Sequence, residues 1–192
     1  MTKSGDASNS TARIVVATAT GIEESTTTAC RAAPDTAPTP KWAASRNPRK
    51  AGYGASMVFE LAADSDVEVW RKRIRPVLTV RCAARATEVF VVTESPATIE
   101  DNSNRHTIKM SFDGREPLEQ KWEHSIDHDA LFAPDGRAMI RRIAGARQLS
   151  FSFAPFNAPP ATVVFHVEGF AAQHKAAART CGLETPARSA RN

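Results

Sequence analysis

The stretch P-V-L-T-V-R-C-A-A-R-A-T-E-V-F-V-V-T, residues 76–93, decides the fold. Two β-rich runs, residues 77–82 and 87–93, flank the short connection 83–86. Closing that connection as a hairpin loop sets Leu78 opposite Val91, Val80 opposite Val89 and Cys82 opposite Thr87, an apolar face. On the other face Arg81 meets Glu88 and Thr79 meets Phe90. One register satisfies both faces, and a slip of one residue would turn every apolar side chain outward. The hairpin predicts an antiparallel sheet and carries no chemistry of its own.

Working outward, Ser56–Ala63 alternates with Met57, Phe59 and Leu61 on one side and predicts a strand. Residues 67–75, which hold Trp70, are expected to form a short helix or an irregular segment stopped by Pro76. Residues 105–112 alternate, Asp113-Gly114 predicts a hairpin turn, and Leu118, Gln120 and Trp122 share a face of the returning strand. Residues 135–144 predict a short helix, with Asp135 as N-cap, Met139, Ile140 and Ile143 on the apolar side, and Gly145 at a left-handed C-terminal position. Strands are expected at 148–153 and 162–167. The best helical stripe in the chain follows at 169–181, through Phe170, Ala171, His174, Ala177, Ala178 and Cys181. The expected fold is α+β: an antiparallel, β-rich, sandwich-like domain of six or seven strands, with a short internal helix and a C-terminal helix. The single domain spans 41–184. A Ser, Thr, Ala and Pro-rich arm at 1–40 and a tail at 185–192 are expected to be disordered.

The formal charge of +4 sits in the ends of the chain. Residues 1–50 and 171–192 are each net basic, and residues 51–170 are slightly acidic, which argues against a nucleic-acid groove on the body. No apolar stretch approaches the length of a membrane span. The apolar run 14–17 is too short for a secretory h-region, so no signal peptide is expected in these residues. The three cysteines, Cys30, Cys82 and Cys181, include no C-x-x-C pair. Cys82 lies on the hairpin's apolar face and Cys181 on the helix's apolar stripe. A Cys82–Cys181 disulfide is therefore a candidate, with two buried thiols as its alternative.

The segment W-E-H-S-I-D-H-D, residues 122–129, is dense in titratable groups. His124, Ser125, Asp127 and His128 could serve an envelope hydrolase, and the two histidines have the i, i+4 spacing of a metal pair. The segment lacks the nucleophile elbow and the glutamate of H-E-x-x-H. A polar turn capped by its own side chains outweighs both readings, so no catalytic residue, metal ligand or cofactor is expected. His106, His166 and His174 are read as satisfied, partly buried histidines. A basic cluster runs from Arg71 to Arg85, and a second contains Arg141 and Arg142. A solvated or protein-contact surface outweighs phosphate binding at either one, because aromatic interleaving is sparse.

Seven phrases taken together resemble the TagO/VasI family associated with type VI secretion. They are K-W at 41–42, R-P-V-L-T-V-R-C at 75–82, T-E-V-F-V at 87–91, W-E-H-S-I-D-H-D-A-L-F-A-P at 122–134, A-R-Q-L at 146–149, P-F-N at 155–157 and C-G at 181–182. The resemblance implies a non-enzymatic accessory protein of the periplasm or cell envelope. It implies other secretion-apparatus or envelope proteins as partners and no specific nucleic acid. The expected interaction surface comprises Trp122, His124, Ser125, Asp127, His128, Arg141 and Arg142.

Overall fold

The computed structural model describes residues 17–18, 21–22, 42–47, 56–83 and 86–181. The chain divides into two units, Met1–Thr39 and Pro40–Asn192. In the first, β1 (Ala17–Thr18) pairs antiparallel with β2 (Gly21–Ile22). The rest of the expected arm and the expected tail lie outside the described residues.

The second unit begins with β3 (Ala43–Asn47) and β4 (Ser56–Ala62), then a small hairpin of β5 (Val67–Val69) and β6 (Lys72–Ile74). Then come β7 (Val77–Ala83), β8 (Thr87–Val92), β9 (Arg105–Phe112), β10 (Leu118–His124) and β11 (Ala130–Phe132). Helix α1 (Gly136–Ala144), β12 (Gln148–Phe153), β13 (Ala161–His166) and helix α2 (Phe170–Cys181) complete it. Nine strands form one antiparallel sheet in the order β13-β12-β9-β10-β11-β8-β7-β4-β3. The fold is thus β-rich α+β with two short helices. Its strand count exceeds the expected six or seven because β3, β5, β6 and β11 are only three to five residues long, too short to show an alternation.

The central hairpin has the expected register, with Leu78 opposite Val91, Val80 opposite Val89, Cys82 opposite Thr87 and Arg81 opposite Glu88. Arg81 donates to Glu88 at 2.6 Å and stacks over Phe90. Reciprocal bonds between Ala83 and Ala86 extend the pairing one step into the expected loop.

The sheet curls so that its flanks share one core. The Asp64 amide donates to the Val164 carbonyl at 2.9 Å, and Trp42 Nε1 donates to the Val167 carbonyl at 3.4 Å, joining the start of the unit to the far edge strand. Phe59, Leu78, Val80, Val91, Ile108, Met110, Trp122, Phe151 and Phe165 fill the interior. Phe170, the first residue of α2, lies between Trp42 and Phe59 and is fully buried.

Two local expectations are corrected. Residues 67–74 form the β5–β6 hairpin, not a helix, because Trp70 and Arg71 both adopt positive φ, 49° and 66°. That is the turn geometry that matches the twist of paired strands, here built without Gly, Asn or Asp. Gly145 closes α1 at φ −98°, so no left-handed residue is needed there. The Asp135 cap is as expected, its carboxylate accepting from the Ala138 amide at 2.9 Å.

Candidate functional site

Residues 125–129 connect β10 to β11. Ser125 Oγ donates to Asp129 Oδ1 at 2.7 Å and accepts from the amides of Asp129 and Ala130 at 3.0 and 3.1 Å. The His128 amide donates to the Ser125 carbonyl at 3.0 Å. The serine is therefore consumed in closing a tight turn, and its hydrogen bonds go to Asp129 and backbone, not to a histidine. A nucleophile needs the opposite arrangement, with its hydroxyl bonded to a base. Ile126 and Asp127 stand exposed at the tip, and Ile126 is 96% exposed.

The two histidines of the turn join a third. His106 and His124 both follow the inward parity of their strands, β9 and β10, at the edge of the core. His106 is 3% exposed. Its Nδ1–H donates to the Thr98 carbonyl at 2.8 Å, and its Nε2 lies 3.0 Å from His124 Nδ1. His128 Nδ1 approaches the same His124 atom at 3.3 Å, its ring set edge-on at a centroid distance of 4.1 Å. Burial first, then the neighbouring His128 and His106 charges, hold the His124 pKa below the ordinary imidazole value. His106 is satisfied at both ring nitrogens, as expected, and more fully buried than the expected partial burial. Its contact with His124 follows from the β9–β10 register, which the Asp113-Gly114 turn misstates. A strict two-residue turn sets Arg105 opposite Trp122, whereas the ladder sets His106 there. The residue that shifts the register lies in 115–117, where Pro117 has no amide to donate.

The expected interaction surface is not brought together. Trp122 is corrected outright: it is fully buried, edge-on to Phe151, with Nε1 donating to Gln120. Arg141 and Arg142 are exposed on the last turn of α1, beside the β9–β10 turn, where a groove of about 340 Å³ also takes in Phe112, Arg115, Glu116 and Leu118. The His124–Asp129 turn sits at the opposite end of those strands. The Arg71–Arg85 cluster is divided too, since Lys72 pairs with Glu94, Arg75 with Asp66 and Arg81 with Glu88. Arg85 lies outside the described residues.

No sequence pattern announces what gathers around the turn. The exposed large apolar side chains of the described residues are Trp70, Ile99, Ile126 and Phe156, and all four lie on connections at this same end of the sheet. Trp70 meets Phe156 edge-on at 6.4 Å. The connections are bonded into one cap: Phe156 to Pro96, Thr98 to Ala154, and both Thr93 and Glu94 to the Asp129 carbonyl. Among the described residues, Trp70, Arg71, Glu94, His128 and Asn157 hold positive φ at this end, and of non-glycine residues only Asp113 does so elsewhere. Such backbone tends to persist where surrounding structure over-determines it, often at functional sites.

Among the described residues no grouping of His, Cys, Asp and Glu is suited to holding a metal ion. No helix among them is long and apolar enough to cross a membrane. Cys82 is disulfide-bonded. The side chains of Cys30 and Cys181 lie outside the described residues, so the expected Cys82–Cys181 pairing does too. No family model matches the chain, and no curated protein does. Among solved structures, the chain is similar to invasion associated protein B from Bartonella henselae, with a TM-score of 0.48 and 8% identity over 71% of this chain and 91% of that one.

Proposed function

We propose that this chain is a non-enzymatic accessory protein that works by docking other proteins of the cell envelope, in the manner implied by its resemblance to the TagO/VasI family of type VI secretion. The observation that carries the reading is the cap: Trp70 in edge contact with Phe156, and Ile99 and Ile126 exposed on the other tied, strained connections at the same end of the sheet. Exposed aromatic anchors with an aliphatic surround are the material of a protein interface. The Cys82 disulfide supports the envelope assignment, because such bonds persist in oxidising compartments and are rare in the cytosol. The hydrolase alternative has the weaker footing, since Ser125 is bonded to Asp129 and backbone. The nucleic-acid alternative loses Lys72, Arg75 and Arg81 to acidic partners.

The test is photo-crosslinking in cells carrying the secretion genes, with the crosslinking residue placed at 99, at 126 or, as a control, at 115 on the opposite end. Adducts with an envelope or apparatus protein are expected from 99 and 126 and not from 115. Trp70→Ser with Phe156→Ser should abolish those adducts at normal protein abundance. Adducts from 115 alone, or adducts that survive the double substitution, would refute the reading.

A further inference from the structure

We infer that His106, His124 and His128 form a proton-operated latch that holds the 125–129 turn, and with it Ile126, in the cap. The inference rests on the docking role of that cap and names its regulation.

The argument begins with a fixed proton. A carbonyl only accepts, so His106 Nδ1 carries hydrogen towards Thr98. In the neutral ring, Nε2 is then a lone pair, and His124 Nδ1–H points at it across 3.0 Å. His128 Nδ1 lies 3.3 Å from that same nitrogen and shares the hydrogen as a second acceptor. One added proton is accommodated by reversing the polarity. His106 becomes the donor through Nε2–H, His124 changes tautomer to accept, and His128 donates as well. Every further proton sets a second positive charge within the three-ring stack. A charged His124 flanked by charged neighbours turns N–H against N–H on both sides.

Among the described residues, no carboxylate is hydrogen-bonded to any of the three rings. In the turn, Asp129 is bonded to Ser125, and Asp127 is exposed at the tip. From β10, Glu123 is paired with Arg105 of β9. Lys121 of the same strand is held by Glu100, from the 93–104 connection. Asp101, on that connection, is the acidic group whose interaction reaches His106, and it is fully exposed. Thr107 of β9 is bonded to Glu100. His124 resists protonation through burial and its two neighbours. The ring free to leave is His128, which is exposed and whose backbone sits at φ 58°, so departure also relaxes the chain. When it leaves, the tip of the turn leaves with it. Acid uncouples Ile126 from the cap, while the β12–β13 side stays in place.

The experiment is an NMR titration of the full chain from about pH 8 to about pH 5, the range in which imidazoles change charge, following histidine ring signals and backbone amides. The His124 ring should titrate below the ordinary imidazole range, and the amides of 126–129 should move with that step while those of 148–153 do not. His128→Asn keeps a residue that tolerates positive φ and cannot be charged. It should abolish the amide step and leave the turn closed in acid. An unchanged amide step in His128→Asn, or a simple isolated-imidazole curve for His124, would overturn the latch. Crosslinking from position 126 separates the two proposals. Adducts that fall several-fold in acid for the native chain and persist for His128→Asn support the latch. Adducts insensitive to pH in both refute it and leave the docking role standing. Absence of adducts at neutral pH, with the amide step intact, refutes docking alone.

Discussion

Replacing Gly136 by alanine tests how α1 is seated on the sheet. A Cβ built on Gly136 falls 2.2 Å from the Thr87 carbonyl oxygen, 2.9 Å from its carbon and 3.1 Å from Glu88 Cα. All three are backbone atoms of β8, a central strand paired on both sides with β7 and β11, so no side chain can swing aside. Ordinary contact needs roughly 1 Å more than the shortest of these distances allows. The helix must therefore lift at its first turn. Met139, Ile140 and Ile143, which α1 buries almost completely, lose packing as it does. Overpacking of this kind costs about 1–3 kcal/mol. Strain on the Asp135 cap adds part of the ~1 kcal/mol such a cap is worth. Alanine's helix propensity returns less than ~1 kcal/mol. The expected net loss is about 1–3 kcal/mol, or roughly 2–12 °C in thermal midpoint for a unit of this size. Gly145→Ala is the matched control, since its nearest neighbour is a carbonyl oxygen at 3.5 Å and its φ is −98°. It should stay within about 0.5 kcal/mol of the native chain. Circular dichroism melts and urea titrations of both variants decide the matter. A Gly136→Ala midpoint within about 1 °C of native would refute the seating argument.

Three further outcomes follow from the same geometry. Trp122→Ala removes a fully buried indole from the shared core and should cost about 3–5 kcal/mol in urea unfolding; a loss below about 1 kcal/mol would mean that the residue is not a core anchor. Arg81→Glu should cost at most about 1 kcal/mol, because both partners are more than a third exposed, and adding Glu88→Arg should recover most of it; a larger single-mutant loss without recovery would show that the stacking of Arg81 over Phe90 matters more than the charge pair. The depressed His124 pKa means that the folded chain binds fewer protons there than the unfolded chain. The contribution of His124 to stability is therefore flat above about pH 6.5 and declines as pH falls from there towards the folded value. Midpoints measured across that window for the native chain and for His124→Gln should diverge below it, with the native chain losing more. Parallel curves would remove the linkage.

The parts of the fold that were legible are those where two periodicities agree. Residues 77–92 satisfied an apolar face and a charge pair in one register, and the register was right to the residue. Asp135 announced α1 because its carboxylate has one obvious use, capping an amide three residues on. The misreadings came where a single residue type stood in for geometry. Gly145 looked like the glycine that mattered in α1, yet its backbone is one that any residue adopts. Gly136 is the one pressed against a strand, β8, and that contact is long-range and leaves no local pattern. Trp122 was grouped with the polar residues that follow it, although its parity with Leu118 and Gln120 already pointed inward. Parity was the better guide, because strand side chains alternate faces whatever their neighbours are.

The cap was illegible for a related reason. Its apolar residues come from connections centred near 70, 99, 126 and 156, and nothing in the spacing of these positions relates them until the sheet curls. What the structure adds is a contrast between the two ends of that sheet. At the far end the β9–β10 turn places Asp113 and Gly114 at positive φ, residue types that take such backbone readily. At the cap, a tryptophan, an arginine, a glutamate and a histidine occupy the same region of φ, where each would be more easily replaced by Gly or Asn. Turn formation alone does not account for Trp70 at φ 49° and 56% exposed, because neither backbone ease nor burial favours it there. Its edge-on contact with Phe156 is the one the structure shows, and the proposed docking role supplies a reason for the exposure that is left. That is why the docking proposal is placed on this end and not on the groove beside Arg141 and Arg142.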